Sequence, residues 1–189
     1  MTELTHALTA LADVFERLDV TYVVIGGVAV RAYAIPRPTY DVDFTLAAPR
    51  ERLPEIFAAV EEEQFTVPDA YRTGCVDVVA ELPLVKFRFY LKDRGVDADI
   101  FLAETPFQKE MLTRRQLVET PDGRLWLASP EDIIVLKLLA HRPRDLLDVG
   151  DILFTQGQLD EDYMLKWAGQ LNILPRLEKT LAEAKAQEF

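Results

Sequence analysis

Tyr22-Val23-Val24-Ile25-Gly26-Gly27 and, after thirteen intervening residues, Asp41-Val42-Asp43-Phe44-Thr45-Leu46 form the stretch on which the reading of this chain turns. Its opening run is apolar and partly β-branched and ends on paired glycines, the pattern of a short buried strand closed by a tight turn. Val28 to Ala34 can form a short helix. Pro36 and Pro38 then force an extended approach. The closing run alternates, with Val42, Phe44 and Leu46 on one face of a strand and Asp41, Asp43 and Thr45 on the other.

Aspartates at i and i+2 of a strand lie roughly 6.6 Å apart along the backbone and on one face, where they repel each other in water. A divalent cation reverses that balance, because Mg²⁺ takes hard oxygen ligands and uses one or two carboxylates together with substrate phosphates. Two such ions would need a further carboxylate, which could also help to deprotonate an attacking hydroxyl. Asp99 is the candidate and Asp97 the rival, both in Val96-Asp97-Ala98-Asp99-Ile100-Phe101-Leu102. Asp99 is preferred because it directly precedes an apolar run, as Asp43 precedes Phe44. Gly26 and Gly27, between a strand and a helix, would let the backbone approach a triphosphate closely.

Outward from this centre, Leu4, Leu8, Leu11, Phe15 and Leu18 recur at helical spacing and predict a helix over about 3–18. A second helix is expected over about 50–62. The region from Gln64 to Pro83 has no clear period. Val85, Phe87, Phe89 and Leu91 alternate with Lys86, Arg88 and Tyr90, and Lys92-Asp93-Arg94-Gly95 supplies turn chemistry before the strand that carries Asp97 and Asp99. A helix over about 106–116 and a strand at Leu125-Trp126-Leu127 follow. Ser129-Pro130-Glu131-Asp132 then opens a helical region with a capping-box pattern. The expected division is a core over 1–125 and a C-terminal helical region over 126–189 packed on it.

Composition bounds the function. A chain of 189 residues with 49% hydrophobic content can bury one good core, and a formal charge of −11 opposes coating of nucleic acid by charge alone. No apolar run approaches the roughly 20 residues that span a bilayer, and the start, Met-Thr-Glu-Leu-Thr-His, has no signal-peptide pattern, so a cytoplasmic protein without a membrane partner is expected. With one cysteine, Cys75, and only His6 and His141, a zinc cluster is excluded and any metal should be held by oxygen.

The order Ile25-Gly26-Gly27, then Asp41-Val42-Asp43-Phe44, resembles the signature of the DNA polymerase β-like nucleotidyltransferase superfamily. Arg37-Pro38-Thr39-Tyr40, the helix Ser129 to Ala140, and Arg142-Pro143-Arg144-Asp145 through Asp148 resemble the bacterial AbiEii-type, toxin-like branch. The likeness covers about residues 20–155. It implies an α/β (α+β) fold with a short mixed sheet flanked by helices, unlike a doubly wound dinucleotide fold. It also implies transfer of a nucleoside monophosphate from a nucleoside triphosphate to an acceptor hydroxyl, with release of pyrophosphate. Two Mg²⁺ ions, or Mn²⁺, would be held by Asp41, Asp43 and Asp99, and the nucleotide by Gly26, Gly27, Arg37, Thr39 and Lys137. The acceptor would be RNA or protein, with a cognate antitoxin protein as partner. A small-molecule transferase of the antibiotic-modifying kind, and a silent nucleotide- or protein-binding module, are the alternatives. Lys137, the lone cation of an apolar helix, could instead snorkel, and Arg142, Arg144, Asp145 and Asp148 could form a surface ion-pair cluster.

Overall fold

The computed structural model describes residues 2–91, 94–120 and 123–187, so Lys92 and Asp93 of the expected turn lie outside it. The chain divides into two compact units, one of Met1–Val28 with Pro38–Ala128 and one of Ala29–Arg37 with Ser129–Phe189.

The first unit is built on a mixed sheet. Strands β1 (Tyr22–Ile25), β2 (Asp41–Leu46), β3 (Phe65–Thr66), β4 (Asp77–Val79), β5 (Leu82–Leu91), β6 (Arg94–Leu102), β7 (Gln116–Thr120) and β8 (Gly123–Leu127) run in the order β3-β5-β6-β2-β1-β8-β7, with β4 also paired to β5. The β1–β2, β5–β6 and β7–β8 pairs are antiparallel, and the β2–β6 and β1–β8 pairs are parallel. Helix α1 (Glu3–Arg17) starts on Thr2, whose hydroxyl accepts from the Thr5 amide, and carries Glu3 in its first turn and Arg17 in its last, each favourable to the helix dipole. A 3₁₀ turn over Arg50–Arg52 leads into α3 (Leu53–Glu62). Leu8, Leu11, Phe15, Ile56, Phe57 and Val60 from these helices pack with Val42, Phe44, Leu46, Val85, Phe87 and Phe89 in one core. The alternation in β2 and β5 therefore places its apolar face as predicted.

Several boundaries differ from expectation. Helix α2 (Gly26–Tyr33) begins on the glycine pair itself. The unassigned region after Gln64 holds β3, a single helical turn α4 (Asp69–Arg72) and β4. Helix α5 (Pro106–Thr113) stops short of residue 116, where β7 starts instead and pairs with β8. Thr45, expected on a polar face, is 1% exposed, because that face also buries Val23, Leu84 and Phe101 at its end away from the aspartates.

The second unit contains α6 (Pro130–Ala140), α7 (Pro143–Thr155), α8 (Glu161–Gln170) and α9 (Leu174–Gln187). Ser129 caps α6 by accepting from the Asp132 amide, and its hydroxyl donates to the Asp132 carboxylate, which also accepts from the Tyr163 hydroxyl at 2.5 Å. His141, with φ +54, ends α6 in the left-handed conformation, and Pro143 starts α7. No helix among the described residues is long and apolar enough to cross a membrane.

Candidate active site

The register of three strands assembles the acids. Asp43 lies opposite Asp99 on the parallel neighbour β6, and Asp41 lies opposite Asp97. One strand further, Lys86 is opposite Asp99 and Arg88 opposite Asp97. Because side chains alternate along each strand, all six belong to the face turned away from the core formed with α1 and α3. Asp99 is thus the direct neighbour of Asp43, at the same level as Ile25, the last residue before the glycine turn. Asp97 sits a level further out, exposed, and pairs with Arg88 at 3.1 Å.

Both glycines are required by the acids and their supports. Gly26 has φ +64, a left-handed conformation that glycine adopts without the Cβ penalty. A Cβ there would lie 1.9 Å from Asp43 Oδ2, so the carboxylate occupies the space that any other residue would fill. A Cβ on Gly27 would lie 2.4 Å from the Thr39 hydroxyl. That hydroxyl, on a residue 8% exposed, donates to Asp41 Oδ1 at 2.8 Å. Strand end, glycine turn and acid pair are therefore one packed object: Gly26 admits Asp43, and Gly27 admits the threonine that orients Asp41.

Asp99 accepts from the Lys86 ammonium through both oxygens, at 2.9 and 3.2 Å. Three carboxylates on adjacent positions repel, and an ammonium on one of them relieves part of that repulsion. In this arrangement no three carboxylate, imidazole or thiol groups among the described residues are gathered into a ready cation cage. The donor set nevertheless suits Mg²⁺ or Mn²⁺, being hard carboxylate oxygens on neighbouring strands with one acid seated in a glycine cradle.

Arg37 and Lys137 lie in the second unit, in a different setting. Asp148 accepts from Arg37 Nε and Nη2, both at 2.6 Å, and from Lys137 Nζ at 2.8 Å. Lys137 also donates to Asp145 at 2.9 Å, and Arg142 donates to the same carboxylate. Of the expected surface cluster the two acids are buried, Asp145 and Asp148 each being 1% exposed beside a Lys137 that is 6% exposed, while the Arg142 side chain stays 70% exposed. Burial alone would raise both carboxyl pKa values, but the hydrogen bonds and charges of Arg142 and Lys137 on Asp145, and of Arg37 and Lys137 on Asp148, outweigh it and hold both below the usual range. Arg144 is exposed. Burial, reinforced by the charges of Glu131 and Asp132, pushes the Tyr33 phenol up to about 12.

Sequence reasoning gave Lys86 no role and assigned Thr39 to the nucleotide or to shaping the extended approach to the strand. For Lys86 the signal was present: a hairpin in which Leu91 faces Arg94 necessarily puts residue 86 opposite 99. For Thr39 no sequence signal fixes its hydroxyl on the carboxylate two residues on.

Known proteins share this architecture. An antigenic nucleotidyltransferase-like protein from Paracoccidioides brasiliensis superposes with a TM-score of 0.59 at 18% identity, covering 95% of this chain and 92% of its own. The antibiotic-resistance factor ANT(2'')-Ia gives 0.51 at 14% identity, covering 97% and 96%, and the lincosamide antibiotic adenylyltransferase LnuA, bound to lincomycin, gives 0.51 at 18%, covering 82% and 99%. These likenesses establish the fold as that of the polymerase β-like nucleotidyltransferases. No curated protein sequence matches the chain. Residues 2–172 match the family described as nucleotidyltransferase of unknown function (DUF6036). Joined to a mixed sheet that sets Asp43 beside Asp99, with Asp41 on the same face, beyond a glycine turn, a match over nearly the whole chain makes the protein a member of that nucleotidyltransferase family.

Proposed function

We propose that the protein transfers a nucleoside monophosphate from a nucleoside triphosphate to an acceptor hydroxyl and that Asp41, Asp43 and Asp99 carry the reaction. The supporting observation is the register that puts Asp43 beside Asp99 and beneath Gly26. Mg²⁺ or Mn²⁺ bound there would neutralise phosphate charge and draw the reacting oxygens into line. Thr39 fixes the rotamer of Asp41, and the Gly26 cradle fixes Asp43. Asp99 takes the proton of the acceptor hydroxyl as its oxygen forms the new bond to the α-phosphorus. The bond from that phosphorus to the β-bridging oxygen breaks, and its electron pair leaves with pyrophosphate. Gly26 and Gly27, at the start of α2, offer backbone N–H groups to the phosphates. Arg37 and Lys137 are engaged by Asp148, and Lys137 also by Asp145, and no phosphate contact is assigned to them.

For the acceptor, the charge of the face is the discriminating observation. Across the three strands Asp41, Asp43, Asp97 and Asp99 share their face with Lys86 and Arg88, four acids to two bases in this ladder, on a chain of net charge −11. Such a surface repels a phosphodiester backbone and attracts a cationic small molecule. The AbiEii-like, toxin-type reading, with RNA or protein as acceptor and an antitoxin partner, rests on the sequence resemblance.

Incubation with Mg²⁺, each α-labelled nucleoside triphosphate and panels of aminoglycoside, lincosamide, RNA and protein acceptors tests the reading. Label should move to one class and be lost in Asp41→Asn and Asp43→Asn. Triphosphate binding without pyrophosphate release across all panels would count for the silent module.

A further inference from the structure

We propose that Lys86 is a resident counter-cation of the acid cluster, occupying the Asp99 carboxylate until a divalent ion and nucleotide displace it; this rests on the reading of Asp41, Asp43 and Asp99 as metal ligands. The lysine is placed for this by the hairpin, since it stands directly opposite Asp99 on β5 and donates to both oxygens of that carboxylate at 2.9 and 3.2 Å. Its side chain is 43% exposed and that of Asp99 29%, so the ammonium can swing into water when the carboxylate is claimed. The pair next to it, Arg88 with Asp97, repeats the pattern one level out but involves no carboxylate neighbouring Asp43.

Two consequences follow from charge. Without Lys86 the Asp99 carboxylate beside Asp43 loses its ammonium partner, and the apo protein loses stability. Without Lys86 a divalent ion meets no competing cation, and it binds more tightly in the absence of nucleotide. A unit charge removed about 6 Å from a divalent ion at the dielectric of water changes its affinity about tenfold, or about 1.4 kcal/mol. Lys86 would thereby keep the site from filling with metal alone and make metal entry depend on the triphosphate that arrives with it.

The test measures Mn²⁺ affinity of the full chain by electron paramagnetic resonance, without and with ATP, for wild type, Lys86→Met, Lys86→Gln, Lys86→Arg and Asp41→Asn, alongside thermal melting. Expected are about tenfold tighter Mn²⁺ binding without nucleotide in Lys86→Met and Lys86→Gln, near wild-type affinity in Lys86→Arg, and a larger Mn²⁺-induced rise in Tm for the two neutral variants. Unchanged or weaker affinity in the neutral variants, with Asp41→Asn still reducing it, overturns the role of Lys86 and leaves the metal reading standing. Mn²⁺ binding absent from every protein, even with ATP, overturns both.

Discussion

Replacing Asp148 by asparagine probes the second unit most sharply. The substitution keeps the volume but removes the charge that two cations share, and it turns an amide N–H₂ toward donors of Arg37 or Lys137. Asp148 accepts three bonds of 2.6 to 2.8 Å, and its side chain is 2% exposed. Breaking a fully buried ion pair by removing one partner costs about 3–5 kcal/mol. Here Lys137 retains Asp145 at 2.9 Å, and the Arg37 side chain, 21% exposed, regains some water. The expected loss is therefore about 2–3 kcal/mol. Urea unfolding at pH 7 would be followed through Trp167 in a Trp126→Phe background, so that the signal comes from the unit holding the network. An Arg37→Met cycle should show coupling of at least about 1 kcal/mol. A loss below about 0.5 kcal/mol, the range of ordinary surface substitutions, would refute the reasoning.

The same network sets the acid limb. Asp145 and Asp148 are held below the usual carboxylate range, so the stability they contribute is complete above the unfolded value of about 3.9 and is lost as pH falls through their folded values. Tm should hardly change on their account between pH 7 and 5, fall below about pH 4, and fall less steeply in Asp148→Asn. Gly26→Ala should cost about 1–2 kcal/mol from φ +64 alone and, by driving the Asp43 carboxylate out of its cradle, reduce transfer at least about 100-fold; wild-type turnover would dismiss the cradle. Thr39→Val, which keeps shape but frees Asp41 Oδ1, should lower turnover about tenfold, with a Tm change worth about 1 kcal/mol, and Thr39→Ser should restore most of it.

Much of the site was legible because strand periodicity is local. Val42, Phe44 and Leu46 against Asp41 and Asp43 need only the alternation of an extended chain, and a glycine pair after Tyr22–Ile25 needs only the rarity of left-handed backbone in other residues. Element ends were less legible where packing decides them. Gln116 is expected to close a helix, yet it opens β7, because β8 offers that strand an edge. Thr45 reads as polar and solvent-facing, while the sheet buries it between Val23 and Phe101.

By itself, the sequence determined the order of strand, glycine turn and acid strand, the core face of each amphipathic element, and the chemistry of hard oxygen ligands. Those follow from interactions spanning a few residues. Tertiary structure alone decided that Asp99 instead of Asp97 neighbours Asp43 and that Arg37 and Lys137 converge on a buried Asp148. Each of these depends on strand register or on residues far apart in the chain, and a charge has no local pattern that names its partner. The ion pair forms wherever packing removes water and leaves opposite charges as the best remaining ligands for one another.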